Sequence, residues 1–241
     1  DDFVHGDASL SLNALADRLE GRMAIDPAFA SDLRQARQAC ESMVDHAIGP
    51  YVALKKAVTE VAGSSIWWVR DITLSNTMWG NRSPSLNHPR SGVHALGGGI
   101  GQGLAMGIGA AVANSEHQLG RQTLALCGDG GFMLNLGELA CAAQERARVL
   151  YLVMNDRQYG VIKNIQDDIY GSRHCYVDLH TPDFAQLCQS LQVPHAISRG
   201  PEDVRHQLQT LLTHQGPAVL EIDMASWGPF TVKFAGPPKK D

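Results

Sequence analysis

One stretch of the chain decides its fold: Gln122-Thr-Leu-Ala-Leu-Cys127 runs directly into Gly128-Asp129-Gly130-Gly131, and Val149-Leu-Tyr-Leu-Val-Met154 ends at Asn155-Asp156. The two apolar runs are short and continuous, which is typical of buried parallel strands. Residues 135–146 between them predict a helix of ~18 Å, close to the ~20 Å span of a six-residue strand. The two strands are therefore expected to lie side by side, with their carboxyl ends at one edge of a sheet.

The same alternation of helix and strand extends outward from this stretch. Further helices are predicted at 8–20, 27–47, 51–62, 99–114, 182–191 and 201–214, and further strands at 66–70, 195–198 and 218–223. Residues 157–175 are predicted to form a loop. This order predicts an α/β fold, a parallel sheet with helices on both faces that binds its ligand at the carboxyl ends of the strands.

Composition restricts the class of partner. The 241 residues are 44% hydrophobic and 19% charged, with a net charge of −5, as in an ordinary globular protein. A mildly acidic chain argues against binding to nucleic acid or to an anionic membrane, and no apolar run reaches the ~18 residues of a membrane span. The five scattered cysteines form no Cys-x-x-Cys pair, so reduced thiols and a cytoplasmic location are expected.

The two ends of the central strands carry acidic residues. Asp129 and Asp156 would face the same point in space, beside a turn of bare glycine amides. Hard carboxylate oxygens in that position would suit Mg²⁺ bound to a diphosphate, and glycine lets the backbone approach the phosphates. Taken alone, the first segment favours a simpler interpretation, a strand-to-helix turn that has a capping aspartate.

A glycine-rich run, Ala95-Leu-Gly-Gly-Gly-Ile-Gly-Gln-Gly-Leu104, precedes the central strands. It superficially suggests a dinucleotide-binding loop, but each placement of Gly-x-Gly-x-x-Gly puts Leu104 or Met106 at the third glycine. A nicotinamide-binding fold is therefore not favoured. A simpler explanation for the glycines from Gly103 onward is that they let a helix pack closely.

Gly128-Asp129-Gly130, followed after 24 residues by Asn155-Asp156, resembles the thiamine diphosphate binding motif. The similarity continues through Gly131-Phe132-Met133, Glu138-Leu139-Ala140 and Tyr159-Gly160. The family it resembles is that of acetolactate synthases, benzoylformate decarboxylases and related 2-oxo-acid decarboxylases. The resemblance covers about residues 50–225, the diphosphate-binding domain of these enzymes.

The resemblance implies that Asp129 and Asp156 ligate Mg²⁺ through their side chains and that Gln158 contributes its backbone carbonyl. It also implies a set of residues that contact the cofactor, many through backbone amides: Gly128, Asp129, Gly130, Gly131, Asp156, Gln158, Tyr159 and Gly160. The family has asparagine where this chain has Asp156. The additional negative charge would repel the phosphates, so we expect binding to survive with an altered metal dependence.

Two further segments acquire roles from the resemblance. Ile100 corresponds to the bulky residue that wedges beneath the cofactor and holds its two rings in a V, and the carbonyl of Gly98 would accept a hydrogen bond from the pyrimidine 4′-amino group. Such bending is catalysis by positioning. In the loop after the strand at 66–70, the hydroxyls of Thr73 and Ser75 would contact the diphosphate, although an ordinary polar turn is an equal alternative.

The family's enzymes also need a glutamate from a separate pyrimidine-binding domain, and nothing in this chain resembles that domain. We expect residues 1–25 to be the tail of a central domain, 26–50 a linker helix, 51–228 the thiamine diphosphate domain and 229–241 a C-terminal tail. The hypothesis is that the chain belongs to a longer enzyme, with a naturally split enzyme as the alternative. The glutamate would come from the same or a second subunit of a homodimer or homotetramer.

The implied reaction is decarboxylation of a small-molecule 2-oxo acid, followed by release of an aldehyde or ligation to a second carbonyl, so the enzyme would be a lyase or a transferase. The chain alone is expected to be inactive. Lys163, Arg173 and His174 could meet a substrate carboxylate or belong to a solvated charged loop. Whether the complete enzyme also binds FAD is left open, and a non-catalytic phosphate- or nucleotide-binding module remains an alternative function.

Overall fold

The computed structural model describes residue 3 and residues 5–234, and it divides the chain after Met43 into two units. The first unit holds α1 (Ala8–Leu19), whose first turn is capped by Asp7 through a 2.9 Å hydrogen bond to the amide of Leu10. The long helix α2 (Phe29–Ile48) begins in this unit and ends in the second one.

The second unit contains a six-stranded sheet in which all strands are parallel. Its strands are β1 (Ile66–Arg70), β2 (Gly92–His94), β3 (Gln122–Gly128), β4 (Val149–Asn155), β5 (His195–Ser198) and β6 (Ala218–Asp223). Their order across the sheet is β2-β1-β3-β4-β6-β5, so β3 and β4 lie at its centre. The predicted α/β fold is confirmed. The edge strand β2 was not predicted, because three residues are too few for a periodic pattern.

Helices cover both faces of the sheet. They are α3 (Val52–Ala62), α4 (Gly103–Glu116), α5 (Asp129–Leu134), α6 (Glu138–Gln144), α7 (Gly160–Tyr170), α8 (Phe184–Ser190), α9 (Val204–Leu212) and α10 (Met224–Trp227). Three short turns complete the unit, at Gly49–Tyr51, Leu96–Gly98 and, with π-helical bonding, Asn76–Gly80.

Side chains of the central strands alternate between two apolar layers. On one face, Leu124, Leu126, Leu150 and Leu152 pack with Leu54 and Val58 of α3 and Leu208 of α9. On the other, Ala125, Cys127, Tyr151 and Val153 pack with Leu104 and Ile108 of α4, Phe132 and Phe184. Burying one such leucine contributes about 1.5–3 kcal/mol. This two-sided burial makes the central strands continuous apolar runs in the sequence.

The connection between β3 and β4 differs from the prediction. The predicted helix over 135–146 is α6, which is shorter at both ends, but α5, which begins at Asp129 immediately after β3, was not predicted. The break between α5 and α6 falls at Asn135, whose backbone leaves the helical region (φ −122°) while its side chain donates to the carbonyl of Gly101 at 2.6 Å. A contact with a distant segment therefore marks the end of α5.

The predicted loop at 157–175 is wrong over most of its length, because it contains α7. The helix carries Ile162, Ile165 and Ile169 at helical spacing and ends at Gly171 in the left-handed conformation. The predicted helix at 99–114 is α4, which begins later, at Gly103.

The described part of the C-terminal segment packs on the second unit. The ring of Phe230 lies 4.5 Å from that of Tyr51, and the amide of Val232 donates to the carbonyl of Ala47 at 3.0 Å. The rest of the predicted tail, with Pro237-Pro238-Lys239-Lys240, lies outside the described residues. None of the helices described is both long and apolar enough to span a lipid bilayer.

Candidate functional site

The carboxyl groups of Asp129 and Asp156 come together at the carboxyl edge of the sheet. Strands β3 and β4 pair with Gly128 opposite Met154, so both acidic residues follow adjacent strand ends. Burial raises the pKa of Asp129 to about 6. Burial and the negative charge of Asp129 raise the pKa of Asp156 to about 7.

One oxygen of this pair has no partner. Asp129 is 1% exposed, and its Oδ2 atom accepts no hydrogen bond from the residues described. An unpaired buried carboxylate oxygen is costly, and a bound cation would remove that cost. No three His, Cys, Asp or Glu side chains cluster as a metal site within the described chain. A metal ion here would therefore need backbone and ligand oxygens besides the two carboxylates.

The segment after β4 offers such a backbone oxygen. Arg157 has a positive φ of 54°, and Gln158 forms an antiparallel bridge with Asp178. The bridge uses the carbonyl of Arg157 and the amide of Tyr159, and thereby leaves the Gln158 carbonyl out of its hydrogen bonds. The amide of Tyr159 donates to Val177 at 2.8 Å. This amide is therefore already used within the fold, and a role of Tyr159 toward the cofactor stays a prediction.

The glycines of the motif are required by the packing of the protein itself. A Cβ atom on Gly130 would lie 2.7 Å from the ring of Tyr159, and one on Gly160 would lie 2.5 Å from Oδ2 of Asp156. A Cβ atom on Gly131 would lie 2.9 Å from Oδ2 of Asp71. Any larger residue would displace the side chains that shape the site.

These residues surround a cavity of about 460 Å³, a volume typical of small-molecule sites. Its lining includes nearly all of the predicted site: Thr73, Gly98, Ile100, Gly128, Asp129, Gly130, Gly131, Asp156, Gln158, Tyr159 and Gly160. Ser75 does not line it; its hydroxyl is buried and has no partner among the described residues. The sequence prediction missed the apolar part of the lining, formed by Ile72, Leu74, Met154, Val161, Ile162 and Met224.

Sequence reasoning also missed the side chains that hold the glycine run. Asp71, which directly follows β1, is fully buried and accepts hydrogen bonds from the amides of Gly101 and Gly103 at 3.0–3.1 Å. Asn135 binds the carbonyl of Gly101 from the other side. Directly before the anchored Gly101, Ile100 stays 39% exposed at the cavity, and Gly98 has a positive φ of 71°.

Comparison with known proteins identifies the family of the chain. Residues 74–222, more than half of the chain, match the family model described as "Thiamine pyrophosphate enzyme, C-terminal TPP binding domain". The chain belongs to this family. The predicted resemblance is therefore confirmed, and the match favours thiamine diphosphate over a nicotinamide cofactor.

Individual relatives of this thiamine pyrophosphate enzyme domain agree. The chain is 30% identical over 146 residues to the mitochondrial acetolactate synthase catalytic subunit of Aspergillus candidus, covering 60% of this chain and 20% of the relative. It is 26% identical over 235 residues to the chloroplastic acetolactate synthase 3 of Brassica napus, covering 91% and 35%. The chain thus spans about a fifth to a third of the curated relatives it matches.

The fold is shared with a solved structure, benzoylformate decarboxylase from Polynucleobacter necessarius. The TM-score is 0.67 at 18% identity, over 75% of this chain and 34% of that one. Identity this low shows the fold alone.

The three basic residues for which a substrate carboxylate or a solvated charged loop was considered do not line the 460 Å³ cavity of this thiamine pyrophosphate enzyme domain. Lys163 donates to the side-chain oxygen of Gln158 at 2.6 Å and lines a neighbouring cavity of about 440 Å³. The guanidinium of Arg173 lies 6.0 Å from the ring of Tyr170, and His174 is 2.6 Å from Asp167. The latter two therefore belong to the polar surface around the end of α7.

Proposed function

We propose that this chain is the thiamine diphosphate- and Mg²⁺-binding domain of an enzyme that decarboxylates a 2-oxo acid. The product would be an aldehyde, or the enzyme would ligate the remaining fragment to a second carbonyl, as an acetolactate synthase-like enzyme does. The observation that carries the proposal is the meeting of Asp129 and Asp156 in the cavity, with one carboxylate oxygen buried and unpaired among the residues described.

The metal part of the site fits Mg²⁺. Two carboxylates and the carbonyl of Gln158 are hard oxygen ligands, and Mg²⁺ prefers few protein ligands completed by phosphate oxygens and water. The cation would also neutralise the repulsion that raises the pKa of Asp156. An aspartate at position 156, where the family has asparagine, makes this site more dependent on its metal.

The diphosphate would lie against the glycines. Gly131 and Gly160 line the cavity without side chains, so their backbones are accessible to phosphate oxygens. The hydroxyl of Thr73 lies beside Gly128, since a Cβ atom on Gly128 would be 3.0 Å from its Oγ1. Thr73 can therefore donate a hydrogen bond to the same diphosphate. Ser75 would act only through the fold, because it does not reach the cavity.

The glycine run would orient the cofactor. Thiamine diphosphate supplies, when bound, a cationic thiazolium ring that accepts the electrons released by decarboxylation. Ile100 would support its rings from below and hold them bent, and the Gly98 carbonyl would orient the pyrimidine amino group. Both residues line the cavity, and Asp71 fixes the backbone that carries them.

The complete reaction would need the pyrimidine-binding domain and its glutamate, from the same or a second subunit of a homodimer or homotetramer. The chain alone is therefore expected to be inactive, and a flavin in the complete enzyme stays a prediction. The domain boundaries and the cytoplasmic location also stay predictions, and several relatives are organellar proteins.

Calorimetry tests the proposal. We expect thiamine diphosphate to bind the chain only with Mg²⁺ present, and Asp129→Ala to abolish binding because it removes a metal ligand. Asp203→Ala is a matched control: it deletes an exposed aspartate that makes no side-chain cap at the start of α9. Binding that persists in Asp129→Ala, or that needs no divalent cation, would refute the proposed metal site.

A further inference from the structure

A buried carboxylate lies on β6 behind the metal-site residues. Glu221 is only 6% exposed and pairs in register with Val153 of β4 and Ile197 of β5, in the middle of the sheet. Burying a carboxylate among apolar side chains is costly unless both of its oxygens find donors. Its partners therefore indicate what the residue does.

Each oxygen of Glu221 has one partner, from the strand on either side. Oε1 accepts from the side-chain amide of Asn155 at 2.7 Å, and Oε2 lies 3.1 Å from Nε2 of His195. Asn155 is itself 2% exposed. The hydrogen bond fixes the orientation of its amide, since the amide nitrogen must face Glu221, while its oxygen is buried without a partner among the described residues.

The neighbour on the other side of Asp156 is also held by β6. Asp223 lies two residues beyond Glu221 and contacts the guanidinium of Arg157 at 3.5 Å. Arg157 is the residue with the positive φ of 54°, a conformation that a non-glycine residue keeps only when its surroundings impose it. Ser226 orients the second oxygen of Asp223 at 2.8 Å.

We propose that Glu221 and Asp223 are positioning residues for the metal ligand Asp156, because they hold its two neighbours, Asn155 and Arg157, to the end of β6. The inference rests on the proposed function, since it assigns a role toward the same metal. Glu221 provides the stronger hold: its bonds are buried, whereas the Arg157 side chain is 49% exposed and its ion pair is weakened by solvent.

The test is a double-mutant cycle on the full chain, with Mg²⁺ affinity in the presence of thiamine diphosphate as the readout. We expect Glu221→Ala and Asn155→Ala each to weaken Mg²⁺ binding about tenfold, the lower range for residues that orient metal ligands. The double variant should lose no more than the larger single loss, because both substitutions break the same bond. Glu221→Gln should restore most of the affinity, since its amide can accept from Asn155 and donate to His195.

A purely structural role is separated by a control. Leu208→Ala removes a buried leucine from the opposite face of the sheet, so it should lower stability and leave Mg²⁺ affinity unchanged. If Glu221→Ala behaves like Leu208→Ala, or if the losses of the two single variants add up in the double variant, the positioning role is wrong. If instead Asp129→Ala still binds Mg²⁺ with thiamine diphosphate, the proposed function itself fails, whatever the Glu221 variants do.

Discussion

Both oxygens of the Asp71 carboxylate accept a hydrogen bond from the backbone amide of Gly101, at 3.1 and 3.0 Å. One of these oxygens also accepts from Gly103 at 3.1 Å, so an aspartate at the end of β1 caps the start of α4. The side chain of Asp71 thus replaces the N-terminal cap that α4 does not obtain from its own Gln102. It also fixes the backbone of Gly101, the residue that follows Ile100.

Replacing Asp71 by asparagine should therefore destabilise the fold. Both oxygens of the aspartate accept from backbone N–H groups. In asparagine one oxygen is replaced by an NH₂ group, which cannot accept, so at least one buried N–H would be left unpaired. We expect a loss of about 1–3 kcal/mol in the free energy of unfolding, measured by urea titration, together with weaker cofactor binding. Asp178→Asn is the control, because the side chain of Asp178 is exposed. A midpoint equal to that of the control would show that the carboxylate does not hold the glycine run.

Gly130 should tolerate no side chain. A Cβ atom there would lie 2.7 Å from the ring of Tyr159 and 2.8 Å from Cδ1 of Leu179. We expect Gly130→Ala to cost about 1–3 kcal/mol through overpacking and to reduce binding of thiamine diphosphate. The measurement is the urea midpoint with and without cofactor and Mg²⁺.

Gly137, in the same β3–β4 connection, is the matched control. It has helical backbone angles (φ −58°, ψ −29°), and a Cβ atom added there would meet open space, with none of the surrounding described residues within 4 Å. Gly137→Ala should be neutral or stabilising by about 0.4–1 kcal/mol, since alanine restricts the unfolded chain. Equal losses at the two glycines would contradict the packing argument.

The central strands could be predicted well because burial on both faces makes them continuous apolar runs, which differ clearly from the surrounding sequence. The predicted strands at 195–198 and 218–223 have the observed bounds, and those at 122–127 and 149–154 each end one residue early. The meeting of Asp129 and Asp156 followed from strand parallelism alone, since parallel neighbours end at one edge.

The missed features depend on contacts between distant segments. The bond from Asn135 to Gly101 lies at the end of α5, which was not predicted, and Asp71 is recognised as a cap only when its partners thirty residues away are known. The helix α7 is a different case: its isoleucines have helical spacing, but its charged residues made the segment resemble a loop. The apolar lining of the cavity has no motif and becomes visible only in the fold.

Mg²⁺ binding should depend on pH. The raised pKa values, about 6 for Asp129 and about 7 for Asp156, mean that protons compete with the cation in this range. We expect Mg²⁺ affinity to increase from about pH 6 to about pH 8 as the carboxyls ionise. Asp156→Asn should weaken this dependence, because asparagine does not titrate. Calorimetry at several pH values provides the measurement, and equal affinities throughout would refute a ligand role for the pair.

The metal-free chain should show the opposite trend in stability. Its folded carboxyls have pKa values above the value of about 3.9 expected for an unfolded aspartate. Folding is therefore favoured while they are protonated, and this contribution is lost as the pH rises from about 4 to about 7. Urea midpoints in the presence of a chelator should fall over that range, and Asp156→Asn should reduce the fall.

Ile100 should affect the reaction far more than stability. Its side chain is 39% exposed and the backbone directly after it is anchored at Gly101, so Ile100→Ala should change the free energy of unfolding by no more than about 0.5 kcal/mol. If the side chain holds the cofactor bent, its loss should lower kcat of the assembled enzyme roughly a hundredfold, the scale of a misplaced reacting group. Cofactor affinity should change little, since the metal and diphosphate contacts come from other residues.

Ile100→Met is the control, because it keeps the bulk of the side chain and should retain most of kcat. A kcat that falls equally in Ile100→Met and Ile100→Ala would show that bulk at this position is not what orients the cofactor.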